Sequence, residues 1–195
     1  MGAQNNIRQT LAGHTLVPVV TFNEGDNYSS FMQYLLENEV RCIEITLRTS
    51  EGIKAIEALK KEFGNKLLIG AGTVTNEDQV SVLKEVQADF MVSPGLTPHL
   101  QQVMQTSGIP YLPGVATPSE IISAVEMGLD TLKFFPANIF GGIGALKAYG
   151  QVFPQVTFCP TGGATKQTSA EYLSLDNVFA VGGTWFQKDY HQLNA

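Results

Sequence analysis

The sequence predicts a single-domain α/β protein, a closed (β/α)8 TIM barrel over residues 1–195 with a shortened or missing final helix. Three observations carry that prediction. Eight short β-rich runs alternate with segments of helical periodicity, and strict alternation of this kind requires parallel strands joined by crossover helices. Eight such units in 195 residues fit a barrel better than an open doubly wound sheet. No linker or low-complexity stretch divides the chain.

In chain order the runs are LVPVVTF (16–22), RCIEITLR (41–48), LLIGAGTV (67–74), FMVSP (90–94), YLPGV (111–115), TLKFFPA (131–137), VTFCPTGG (156–163) and VFAVGGTWF (178–186). Between them, segments such as EGIKAIEALKKEF and NEDQVSVLKEVQ repeat apolar residues at helical spacing. Thr, Ser or Asn stands at the segment starts, where a side-chain oxygen can accept from the open N–H groups of a first turn. After the eighth run only about nine residues remain, so the last helix is expected to be very short or absent. The uncovered flank would be completed by another subunit, which is favoured here, or by NNIRQTLAGH ahead of the first strand.

Composition narrows the partners. Twelve Lys and Arg against 18 Asp and Glu give a formal charge of −6, which disfavours nucleic acid or an anionic membrane surface as partner, since both need clustered cations. An anionic ligand must therefore be captured locally. Cys42 and Cys159 both lie in apolar runs without C-x-x-C spacing, as expected of free, buried thiols in a reducing cytoplasm. MGAQNNIRQTLAGHTL has no continuous apolar stretch of the signal-peptide kind, and no later segment approaches a membrane span. A soluble, cytoplasmic protein is expected.

In a parallel barrel alternate side chains point inward, and functional groups collect at the C-terminal strand ends. In CIEITLR, Glu44, Thr46 and Arg48 share one parity, and Ile43, Ile45 and Leu47 the other. The apolar set suits the outer helices, which leaves the polar set facing in. The same parity in TLKFF puts Lys133 with Phe135, opposite Leu132 and Phe134. A buried ammonium needs a partner, and Glu44 supplies one. Such a pair suits covalent amine catalysis, with lysine attacking a ketone and the carboxylate moving protons. It equally suits a structural salt bridge inside the barrel.

Arg48, at its strand end, could fork onto a substrate carboxylate or serve as a helix cap or surface ion pair. Thr73 stands at the equivalent end of GAGTV, behind glycines that admit either a ligand or close packing. Thr161, Gly162 and Gly163 follow the seventh run's core, and Gly182, Gly183 and Thr184 the eighth's. Loops at these two positions present backbone N–H groups to a phosphate or other small anion in phosphate-binding barrels. His14, His99 and His191 are scattered and form no metal-ligand cluster in the sequence. Neither a Walker loop, a Rossmann fingerprint nor a nucleophile elbow is present.

IEITLRT, GAGTV, SPGLT, PGVATPSE, LKFFPA, FCPTGG and VGGTWF, in this order between about residues 16 and 187, resemble the class I 2-keto-3-deoxy-6-phosphogluconate (KDPG) aldolases. The resemblance implies a homotrimeric (β/α)8 lyase of carbohydrate metabolism that works through a lysine Schiff base without metal or cofactor. Its substrate would be KDPG, split to pyruvate and glyceraldehyde 3-phosphate, with 4-hydroxy-2-oxoglutarate as a second one. Carried over by position, it implies that Lys133 forms the Schiff base and Glu44 is the general acid/base. Arg48 and Thr73 would hold the pyruvate carboxylate, Pro94 and Phe135 would wall the pyruvyl group, and Thr161, Gly162, Gly163, Gly182, Gly183 and Thr184 would receive the phosphate. The chain departs from the family pattern at Asn138 and in its short C-terminal end. Two other readings stay open: a phosphate-binding isomerase or synthase barrel without covalent lysine, and a barrel that binds a metabolite without turning it over.

Overall fold

The computed structural model describes residues 3–194; Met1, Gly2 and Ala195, which the predicted 1–195 domain includes, lie outside the described residues. A first helix, α1 (Ala3–Thr10), precedes the alternating units. These run β1 (Leu16–Val20), α2 (Tyr28–Glu37), β2 (Cys42–Thr46), α3 (Glu51–Phe63), β3 (Leu68–Gly72), α4 (Glu77–Glu85), β4 (Met91–Val92) and α5 (Pro98–Ser107). They continue with β5 (Tyr111–Leu112), β6 (Gly114–Val115), α6 (Pro118–Glu126), β7 (Thr131–Phe134), α7 (Gly142–Val152), β8 (Thr157–Pro160), α8 (Lys166–Leu173), β9 (Val181–Gly183) and α9 (Trp185–Leu193).

Every strand pairing is parallel. One sheet runs β5-β4-β3-β2-β1-β9 and the other β6-β7-β8. They meet at two seams. At one, β5 and β6 flank Pro113, whose carbonyl accepts from Lys133 N at 2.8 Å; the predicted fifth strand is thus interrupted where proline has no N–H to donate. At the other, bridges Phe158–Val178 and Thr161–Gly182 join β8 to the run leading into β9. This is the (β/α)8 order, with each predicted run supplying one strand position.

Capping follows the sequence at five helix starts. Asn27, Asn76, Thr97, Thr117 and Thr165 each accept from a backbone N–H of the following turn, while Ser50 at α3 makes no such bond.

The N-terminal end of the barrel is filled by side chains. Ile7 and Leu11 of the α1 region pack with Val17, Cys42, Phe90, Val92, Leu112, Cys159 and Ala180 in one apolar cluster. Burying Ile7 and Leu11 stabilises by roughly 1.5–3 kcal/mol each. Ile7 and Leu11 thus fill the base of the barrel, whereas the flank expected to lie bare beside the last strand is covered by α9, packed on β1 and α2. Both thiols are free and buried, and burial pushes each up to about 12, so they remain neutral, space-filling groups.

The last helix is present. α9 has nine residues, as many as α4 and α6. The apolar run extends the expected eighth strand through Thr184, Trp185 and Phe186, but β9 stops at Gly183, and Trp185 and Phe186 open the helix with buried, stacked rings. Tyr190 anchors its far end against Phe31 and Tyr34, with ring centroids 5.1 and 5.4 Å apart. Among the described residues no helix is long and apolar enough to cross a membrane.

At the opposite, C-terminal end, the Tyr28 hydroxyl donates to Glu51 Oε2 at 2.5 Å and Lys54 donates to Glu51 Oε1 at 2.7 Å. Together they tie the starts of α2 and α3. The Lys54 bond, then the Tyr28 bond, hold the Glu51 carboxyl below its ordinary value of 4.5. A lowered native pKa stabilises above the unfolded value and is lost as pH falls through the native one. The melting-temperature gap between wild type and Tyr28→Phe is therefore expected to stay level through neutral pH and to narrow below pH 4.5. A gap independent of pH in thermal melts would refute this coupling.

Candidate active site

A cavity of about 200 Å³ opens at the C-terminal strand ends, lined by Val19, Glu44, Arg48, Thr73, Pro94, Lys133, Phe135, Thr161, Gly162, Gly163, Gly183 and Thr184. The structure thus brings together eleven of the twelve residues singled out in the sequence. Gly182 is the exception. It pairs with Thr161 across the β8–β9 seam, and a Cβ on it would collide with Thr161 Oγ1, so it sits behind the wall and makes room for that side chain.

Lys133 lies on β7 and Glu44 on β2, 5% and 3% exposed. The lysine Nζ is 2.9 Å from Glu44 Oε1 and 3.2 Å from Oε2, and 5.4 Å from the centroid of the Phe135 ring. Parity does this: β7 turns Leu132 and Phe134 into the outer core, so Lys133 faces in. With Arg48, the cavity wall carries two cations against one carboxylate, a local excess of positive charge on a chain whose formal charge is −6. Burial holds the Cys159 thiol, the neighbour of Lys133 in the β7–β8 register, protonated despite the nearby lysine.

GAGTV is resolved into packing and display. A Cβ on Gly72 would collide with the Glu44 carboxyl, and one on Gly70 with the Phe90 ring. These glycines admit neighbouring side chains, not a ligand. Thr73 follows with φ 61°, a left-handed conformation costly for a β-branched residue, and in it lines the cavity. Arg48 is exposed on the rim, and no described residue is seen to pair with it.

Gly162 and Gly163 have φ of 101° and 74°, where glycine alone is free of strain. A Cβ on Gly163 would meet the Asn138 side chain, so the departure at Asn138 abuts this loop. Across the cavity, Thr184 begins α9 without a side-chain cap, leaving that helix's first N–H groups without a side-chain acceptor. Among the described residues no cluster of three or more His, Cys, Asp or Glu is placed to hold a metal.

The family model for KDPG and KHG aldolase matches residues 7–194. The chain belongs to the KDPG and KHG aldolase family. Among relatives of this aldolase, the KHG/KDPG aldolase of Escherichia coli K12 is 39% identical over 170 residues, covering 87% of this chain and 79% of that one. The 2-dehydro-3-deoxy-phosphogluconate aldolase of Pseudomonas aeruginosa is 41% identical over 170 residues, covering 87% and 77%. Among solved structures, KDPG aldolase from Legionella pneumophila, with pyruvate captured at low pH as a covalent carbinolamine, superposes with TM-score 0.87 at 40% identity, covering 94% and 92% of the two chains. The Zymomonas mobilis ZM4 KDPG aldolase with 3-phosphoglycerate gives 0.88 at 35%, covering 93% and 86%.

Two features of this cavity are not legible in the sequence. Val19 lines the cavity, but both parities of LVPVV are apolar, so its inward face carried no signal. Gly72 as the seat of Glu44 was equally hidden, because pairing across β2 and β3 sets it. Gly72→Ala is expected to displace the Glu44 carboxyl and, if that carboxyl takes part in the chemistry, to lower kcat/KM by roughly 10²-fold. Activity within a few-fold of wild type in a coupled pyruvate assay would exclude that role.

Proposed function

We propose that the chain reversibly cleaves KDPG to pyruvate and glyceraldehyde 3-phosphate through a Schiff base on Lys133, and also cleaves 4-hydroxy-2-oxoglutarate to pyruvate and glyoxylate. The single observation that carries the reading is the buried amine 2.9 Å from a buried carboxylate on a cavity wall. Covalent pyruvate in the Legionella relative and 3-phosphoglycerate in the Zymomonas one support it.

In this reading the Lys133 amine adds to the C2 ketone, and loss of water from the carbinolamine leaves an iminium. Glu44 takes the C4 hydroxyl proton as the C3–C4 bond breaks, with its electron pair passing into the iminium to give an enamine and free aldehyde. Protonation at C3 and hydrolysis then release pyruvate and restore the amine. Arg48 and Thr73 hold the C1 carboxylate at the rim, with Arg48 able to fork onto both oxygens. Pro94 and Phe135 wall the pyruvyl carbons. Thr161, Gly162, Gly163, Gly183 and Thr184 receive the phosphate, with Gly182 supporting Thr161 from behind. The working form would be a cytoplasmic homotrimer, in keeping with the exposed Ile139 and Phe140 on the loop after β7 and the two free thiols.

Borohydride reduction in the presence of pyruvate tests the reading. A mass increase on the peptide containing Lys133 is expected, and none when pyruvate is omitted; no adduct in the presence of pyruvate would reject the reading in favour of a barrel without covalent lysine. Pyruvate release from KDPG and from 4-hydroxy-2-oxoglutarate then separates the two substrates.

A further inference from the structure

We propose that Gln187 is a positioning residue that orients the first turn of α9 toward the distal anion, and thereby sets the preference for a phosphorylated substrate. The inference rests on the aldolase reading and on an arrangement outside the residues already given roles. β1 and β9 pair from Leu16 with Val181 to Pro18 with Gly183. Beyond Gly183 the backbone turns into α9 and can no longer follow β1.

There the Gln187 side chain takes over. Its Oε1 accepts from Thr21 N at 3.2 Å and its Nε2 donates to Thr21 O at 2.8 Å. The amide occupies the place of a neighbouring strand for one more residue, so the start of the helix stays registered to the end of β1. The grip also reaches the catalytic strand: the Thr21 and Thr46 hydroxyls share a 2.7 Å bond, and Thr46 is fully buried two residues from both Glu44 and Arg48.

The first turn needs such a tether. Thr184 provides no side-chain cap, and Gly183 and Thr184 line the cavity, so the value of these N–H groups to an anion depends on where the turn points. Trp185, Phe186 and Tyr190 hold α9 by apolar and ring contacts, whose strength comes mainly from buried area and constrains the aim of the first-turn N–H groups less sharply than hydrogen bonds do. The two amide bonds are directional and fix it.

Gln187→Met keeps side-chain length and packing and removes both bonds. The expected result is a fall of about tenfold in the ratio of kcat/KM for KDPG to that for 4-hydroxy-2-oxoglutarate, mainly through KM for KDPG. Binding of inorganic phosphate, measured by titration calorimetry, is expected to weaken by a similar factor. Equal effects on the two substrates, or a ratio and phosphate affinity within twofold of wild type, would overturn the proposal. Gln187→Ala is read in the same way should the Met variant not fold, and failure of both to fold would make Gln187 a folding residue and also overturn it. Wild-type protein that neither traps pyruvate nor releases it would sink the aldolase reading instead, and the phosphate titration would still decide the role of Gln187.

Discussion

Replacing Lys133 by methionine should abolish borohydride-trappable pyruvate and lower cleavage of either keto acid by ~10⁴-fold or more, the scale seen when a covalent nucleophile is removed. The same change leaves Glu44, 3% exposed, without its counter-charge. Breaking one side of a buried ion pair costs about 3–5 kcal/mol, so a large loss of melting temperature should accompany the loss of turnover. The two effects separate in the double variant Lys133→Met, Glu44→Gln, which removes both charges. It should regain most of the stability and none of the activity. A single variant that is destabilised yet still traps pyruvate would show that another amine carries the chemistry. A double variant as unstable as the single one would show that the pair matters to the fold for reasons beyond charge.

Glu44→Gln should keep the amine competent to condense while removing the group that moves protons. The expected loss is roughly 10²–10⁴-fold in kcat, the range of general acid–base catalysis, with the pyruvate adduct still formed on borohydride reduction. Exchange of the pyruvate methyl protons into heavy water, followed by proton NMR, reports enamine formation without the aldehyde. It should slow by a factor comparable to cleavage. Turnover and exchange both at wild-type rates would remove Glu44 from the mechanism and leave it as a structural partner of Lys133.

The parts of the site that sequence disclosed are those where one strand parity is polar and the other apolar. CIEITLR and TLKFF are such strands, so Glu44, Arg48 and Lys133 could be directed inward before any contact was known, and the structure has them on one cavity wall. Helix EGIKAIEALKKEF, with its apolar stripe, runs over Glu51–Phe63, the full segment. What stayed hidden depends on contacts between segments distant in the chain. Pro113 splits the fifth strand because neighbours on its two sides take different residues of it. Trp185 and Phe186 read as strand because a buried helix start and a buried strand end are both apolar; only the change after Gly183 tells them apart. Gln187 could not be singled out at all, since its partner is a backbone 166 positions away.

Ile7 and Leu11 pack into the lower end of the barrel, away from the C-terminal strand ends where the cavity that carries Lys133 opens. In the proposed Schiff-base mechanism the substrate ketone has to reach Lys133, which is only 5% exposed. That mechanism frees the aldehyde half at carbon–carbon cleavage while pyruvate is still bonded to nitrogen, so the aldehyde would depart first and pyruvate last. In the synthetic direction the order would reverse, which would make free pyruvate the first arrival and a competitive product inhibitor of cleavage.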